Sequence, residues 1–128
     1  MATKATRESF GETILEIAAT NENLVVLDAD LSKSTMTQPF MKKYPARHFE
    51  MGIAEQNMIG VAAGLALSGK IPVLTSFACF LIGRVESIRV SAAYNQTNMK
   101  LVGTHAGIGL GEDGTSQMGL EDVAAMRA

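Results

Sequence analysis

The segment Arg47-His48-Phe49-Glu50-Met51-Gly52-Ile53-Ala54-Glu55-Gln56-Asn57-Met58 sets the reading of the whole chain. Its first five residues form a short extended run, and Gly52 permits a sharp turn. From Ala54 onward the apolar positions Met58, Val61, Ala62 and Leu65 recur at helical spacing. A strand that feeds a helix through one glycine is the repeating unit of an α/β fold. It puts Glu55 in the first helical turn, at the sheet edge where open α/β folds gather ligands. A carboxylate there either complements the helix dipole or works on a ligand, and position alone leaves both open.

The same alternation extends in both directions. Towards the N-terminus a helix is expected over Thr6 to Thr20, with Phe10, Ile14, Ile17 and Ala18 as its apolar stripe. Leu24-Val25-Val26-Leu27 is a continuous apolar run, the mark of a strand buried on both faces, and it ends in the polar Asp28-Ala29-Asp30. A weaker helical segment spans about Thr35 to Lys43. Beyond Glu55 the helix reaches Ser68 and carries Gly60, Ala63 and Gly64, small enough for close packing on a sheet or a second copy. Ile71 to Thr75 is the next strand, with Pro72 tolerated near its start. One helix is expected from Cys79 to Tyr94, with Leu81, Val85, Ile88 and Ala92 in register, and Met99 to Val102 is a fourth strand. A glycine-rich loop follows from His105 to Gly119, and a helix starts at Leu120. The expected fold is α/β, an open, mostly parallel sheet with helices on both faces. The last helix has barely two turns and no strand after it. We therefore expect residues 1–128 to be one domain, incomplete at its C-terminal end or completed by another chain.

Composition narrows the function. A chain of 128 residues with 47% hydrophobic and 19% charged residues suits one compact soluble domain. A formal charge of -2 gives no electrostatic case for nucleic acid or an anionic membrane. With 5% aromatics and no Trp, a base-stacking surface is not expected either. No apolar stretch has the length of a membrane span or of a signal-peptide core. The lone Cys79 forbids an internal disulfide and reads as a core thiol rather than a nucleophile, so a reducing, cytoplasmic setting is expected.

Four polar clusters fall at expected strand ends: Asp28 to Ser34, Glu55, Phe77 to Arg84, and His105 to Gln117. In a parallel sheet all four share the carboxyl edge. Gly109-Leu110-Gly111-Glu112-Asp113-Gly114 has the spacing of a dinucleotide loop, but Glu112 and Asp113 would repel the pyrophosphate. There is no P-loop, no nucleophile elbow, and no metal-ligand spacing around His48, His105 or Cys79. His105, flanked by Gly103 and Gly107, is either a placed ligand or a satisfied structural histidine. Asp113 could equally close its own turn. Phe77 and Phe80 are core residues or a ligand platform.

Taken together, these residues resemble the pyrimidine-binding domain of transketolase, a thiamine diphosphate enzyme. The matching runs are Leu27-Asp28-Ala29-Asp30-Leu31, Gly52 to Met58, Thr75-Ser76-Phe77-Ala78-Cys79-Phe80, His105 to Gly114, and Ser116 to Asp122, which cover nearly the whole chain in one order. The resemblance implies that Glu55 hydrogen-bonds ring nitrogen N1′ of the cofactor's pyrimidine and favours its imino tautomer, which a glutamine could not do. It implies that Phe77 and Phe80 pack around that ring and that Asp30 lies near the cofactor. A third aromatic found in some members is replaced here by Gly83. Ser34 and His105 match positions that hold a sugar phosphate, and Asp113 matches one that bonds a donor hydroxyl. Gln117 stands where many microbial relatives have histidine and others glutamine. Glu55 and His105 are thus the candidate catalytic residues.

What the chain lacks is equally telling. The family's diphosphate and Mg²⁺ are held on a separate domain through a G-D-G motif absent here, so the resemblance implies half a site and no metal ligand on this chain. A diphosphate-binding domain or subunit is the implied partner, within a homo- or hetero-oligomer such as a dimer. The implied reaction moves a two-carbon ketol unit from a ketose phosphate to an aldose phosphate, as in the pentose phosphate pathway. Alternatives are a deoxyxylulose-phosphate synthase, a dehydrogenase beta subunit, or a non-catalytic assembly module of the same fold. The run from His105 to Gln117 favours transketolase over the first two.

Overall fold

A computed structural model describes residues 3–128. The elements are α1 (Thr6–Thr20), β1 (Leu24–Asp28), α2 (Gln38–Lys43), β2 (His48–Glu50), α3 (Glu55–Leu67), β3 (Ile71–Phe77), α4 (Ala78–Ile82), α5 (Val85–Ile88), β4 (Lys100–Thr104) and α6 (Asp122–Arg127). The strands form one sheet in the order β2-β1-β3-β4, parallel at every pairing. All four strands therefore end on the same edge.

Every residue of β1 is buried, as its unbroken apolar run requires of a strand covered on both faces. Alternate residues serve the two faces. Val25 and Leu27 pack with Met58, Ile59 and Ala62 of α3 and with Leu81 and Ile88 of the α4–α5 segment. Leu24 and Val26 pack on the opposite face with Ile14 and Ala18 of α1 and Phe40 of α2. The expected sheet with helices on both faces is the one found.

Two expected helices differ. The segment from Thr35 yields a helix only from Gln38, because the residues before it are committed to Asp28. Asp28 is fully buried. Its Oδ1 accepts the Leu31 N–H at 2.7 Å, and its Oδ2 accepts the hydroxyls of Thr35 (2.9 Å), Thr37 (2.6 Å) and Thr75 (2.8 Å). Hydroxyls engaged in this way compete with helix geometry. Pro39 then favours a helix start.

The single helix expected over Cys79 to Tyr94 is broken into α4, α5 and a π-helical stretch, Arg89–Tyr94. The break falls at Gly83 and Arg84; the latter's φ of -122° and ψ of 27° leave the helical region. Leu81 and Ile88 remain buried on either side, so the apolar register survives the interruption. Residues 105–119 also carry more order than a loop, with two 3₁₀ turns, Gly111–Asp113 and Thr115–Gln117. Among the described residues no helix is long and apolar enough to cross a membrane.

Candidate functional site at the carboxyl edge

Glu55 is the first residue of α3, with Ala54 in the cap position. It is only 6% exposed. The Ser76 hydroxyl, near the end of β3, donates to its Oε1 at 3.1 Å. No other donor reaches this carboxylate among the described residues. It lines a concavity of about 480 Å³ together with Ile53, Gln56, Asn57, Gly60 and Arg84. A nearly buried acid with acceptor capacity to spare, at the wall of a concavity, suits a ligand that brings its own donor.

One residue after Ser76, Phe77 closes β3 and caps α4, and Phe80 lies one helical turn on. Their rings stack with centroids 5.5 Å apart and planes 8° from parallel. Phe77 is buried and Phe80 half-buried, so the pair is anchored at one ring and accessible at the other. Offset stacking of this kind gives a flat ring a defined place to lie. The His105 ring packs on Phe77 at 4.2 Å, tilted by 44°.

His105 follows β4 in the left-handed region, φ 55°. An Arg7 guanidinium nitrogen lies 3.2 Å from its Nε2, and Thr104 Oγ1 lies 2.8 Å from its Nδ1. Because a guanidinium only donates, Nε2 is assigned as the acceptor and the ring proton to Nδ1, where it bonds the Thr104 hydroxyl. Burial pushes the imidazole below its ordinary 6.5, the Arg7 charge acts the same way, and Asp113 opposes them. The same Arg7 nitrogen donates to the Ser34 carbonyl at 3.2 Å. Arg7 therefore joins the loops after β1 and β4, and it lines the concavities on both sides, one with Lys33 and Ser34 and one with His105.

Asp30 is exposed, two residues past β1, also left-handed at φ 59°. Asp113 is exposed in the first 3₁₀ turn and Gln117 half-buried in the second. Among the described residues no hydrogen bond joins the side chain of Asp113 or Gln117 to the others, and Asp113 reaches the cluster only through its charge on His105. Burial pushes the Cys79 thiol up, away from a nucleophilic thiolate. Among the described residues no group of three or more His, Cys, Asp or Glu is placed to hold a metal.

Sequence reasoning missed Arg7 and the Ser76 bond to Glu55. Arg7 had a topological clue. A helix that precedes a parallel strand runs back along it, so its N-terminus lies at the carboxyl edge. A first-turn cation there belongs with the strand-end loops. Ser76 lies inside the run Thr75 to Phe80, but nothing in that run tells which strand-end side chain faces which.

The sequence model of the family described as "Transketolase, pyrimidine binding domain" matches residues 2–128. A Methanocaldococcus jannaschii protein named for the C-terminal section of a transketolase is 56% identical over 126 residues, covering 98% of this chain and 40% of the relative. Human transketolase is 38% identical over 125 residues, covering 97% of this chain and 20% of the enzyme. Among solved structures, a split-gene transketolase, described as an inactive β4 tetramer, superposes with a TM-score of 0.85 at 49% identity, over 99% of this chain and 41% of that one. A Pichia stipitis transketolase in complex with sedoheptulose-7-phosphate gives 0.89 at 26% identity, over 100% of this chain and 21% of that one. The chain thus spans between a fifth and two fifths of the length of these relatives. By the family match along its length and its near-complete alignment with these enzymes, the chain belongs to the transketolase pyrimidine-binding domain family.

Proposed function

We propose that this chain supplies the pyrimidine-binding half of a thiamine diphosphate site in a transketolase, completed by a diphosphate-binding domain or subunit. The observation that carries the reading is Glu55: a nearly buried carboxylate that lines a concavity and takes its one internal donor from Ser76, the residue before the stacked Phe77. When bound, thiamine diphosphate supplies the electron sink that moving a two-carbon ketol unit requires. Glu55 holds a proton between its carboxylate and ring nitrogen N1′, and Ser76 keeps that carboxylate aimed. Phe77 and Phe80 seat the ring and exclude water from it, and Asp30 borders the cofactor.

The sugar phosphate belongs to Ser34 and His105, with Arg7 supplying positive charge between them. Asp113 takes a donor hydroxyl, and Gln117 lies near the reacting carbons. Mg²⁺ sits with the diphosphate on the partner. The split-gene relative is described as an inactive β4 tetramer, which fits a chain that carries half a site. We place the reaction in the pentose phosphate pathway, in an oligomer such as a dimer, and in the cytoplasm, which suits a free Cys79 thiol.

The test mixes this chain with a diphosphate-binding transketolase subunit, Mg²⁺ and thiamine diphosphate, and monitors ketol transfer from a ketose phosphate to an aldose phosphate. Glu55→Gln is expected to lower kcat by about 100-fold or more. Activity indifferent to that substitution would sink the mechanism. Turnover by the chain without a partner would contradict the half-site reading.

A further inference from the structure

Glu50 stands outside the cluster built around Glu55 and His105. It is the last residue of β2, paired in register with Asp28, the last of β1, and its side chain is exposed. One of its carboxylate oxygens, Oε1, accepts two backbone N–H bonds, from Asp30 at 2.7 Å and from Gly52 at 3.0 Å. The first donor belongs to the loop after β1. The second belongs to the turn after β2, three residues before Glu55.

The location gives these bonds meaning. The backbone ladder between β1 and β2 ends where the Met51 N–H meets the Asp28 carbonyl at 2.9 Å. Past that point no backbone bond joins the two segments among the described residues, and the Glu50 side chain carries the connection on. Both amides belong to residues in the left-handed region, Asp30 at φ 59° and Gly52 at φ 66°. Glycine adopts that region freely, whereas Asp30 is held there against its own preference. Bonds from backbone N–H groups to a carboxylate are strengthened by its charge, and the one from Asp30 is short. Asp28 anchors the β1 loop from below through Leu31, and the Gly52 carbonyl accepts the Ala54 N–H at 2.7 Å within its own turn. Neither anchor fixes one loop relative to the other. Glu50 does.

We propose that Glu50 is a positioning residue of the thiamine site, which sets Asp30 and the turn delivering Glu55 at a fixed spacing through one shared oxygen. The proposal rests on the cofactor-binding roles of Glu55 and Asp30. Its chemistry asks only for an acceptor, so Glu50→Gln keeps the role and Glu50→Ala loses it.

The test uses the enzyme assembled from this chain and a diphosphate-binding subunit. Glu50→Ala is expected to raise KM for thiamine diphosphate about tenfold, and Glu50→Gln to return it to within about threefold of wild type. Hydrogen–deuterium exchange of the assembled protein without cofactor is expected to be faster over residues 29–31 and 51–53 in the alanine variant only. Thermal melting should be nearly unchanged, because the side chain is exposed. An unchanged KM in Glu50→Ala overturns the proposal, as does a glutamine variant as impaired as the alanine one. Glu55→Gln, run in parallel, separates the two levels. If it stays active the reading of the site fails. If it is inactive while Glu50→Ala binds cofactor normally, only the positioning role fails.

Discussion

At the scale of single residues, His105 shows how neighbours set a side chain's behaviour. Burial and Arg7 both disfavour its imidazolium form, so its folded pKa lies below the 6.5 of the unfolded chain. As pH falls through 6.5, the unfolded state takes up a proton first. The contribution of His105 to stability is thus fully present above about pH 6.5 and is lost as pH drops towards the lowered folded value. His48 acts in the same sense, lowered by burial against the opposing charges of Asp28 and Glu50, and its buried Nε2 has no partner among the described residues. Chemical unfolding of the assembled protein at pH 7.5 and 5.5 should show a loss of stability at the lower pH that is smaller in His105→Asn. Arg7→Met should move the His105 titration, monitored by NMR, up towards 6.5. A downward movement would contradict the electrostatic account.

At the scale of elements, Gly11 explains the seating of α1. Mid-helix glycine is normally destabilising by about 1 kcal/mol relative to alanine. Here an added Cβ would stand 2.5 Å from the Met36 carbonyl oxygen and 2.9 Å from its Cβ. The helix touches the loop after β1 at this point, and Arg7, one turn earlier, reaches Ser34 in the same loop. Gly11→Ala is therefore expected to destabilise by about 1–3 kcal/mol, despite better helix propensity, as read by denaturant unfolding. The sequence made α1 and α3 legible because their apolar stripes lie over the sheet, though Ile17 of the expected α1 stripe is 45% exposed and Phe10, Ile14 and Ala18 do the packing. The segment 78–94 misled for a related reason. Leu81, Val85, Ile88 and Ala92 record which side faces the core, and a helix broken at Gly83 keeps that side. Helical spacing reports facing and is silent on continuity. Of the candidate site, the strand-end positions of Glu55, Phe77, Phe80 and His105 were legible. Arg7, Ser76 and Glu50 act through contacts between separate segments, and no local pattern encodes those.

At the scale of the molecule, one parallel sheet brings its strand ends to a common edge, and the site is assembled from the loops and helix starts beyond them. A polar path crosses that edge. It runs from Ser34 through Arg7, His105 and Thr104 to the Ser76 carbonyl, 3.5 Å from Thr104 Oγ1, and the Ser76 hydroxyl meets Glu55. Arg7 is the hub, since one nitrogen serves both the β1 loop and His105. An anion that settles between Ser34 and His105 changes this balance twice. It draws on the guanidinium charge that suppresses the imidazolium, and it brings a negative charge of its own. Both effects raise the basicity of His105. Binding of a phosphate-bearing ligand to the assembled protein should therefore be accompanied by proton uptake at the imidazole, measured as a dependence of the calorimetric heat on the ionisation enthalpy of the buffer. Arg7→Met should shrink that uptake, and phosphate binding with no proton exchange in the wild type would rule it out. If the proposed sugar-phosphate role of Ser34 and His105 holds, the arginine that braces these loops couples the arrival of an anion there to the charge on the imidazole.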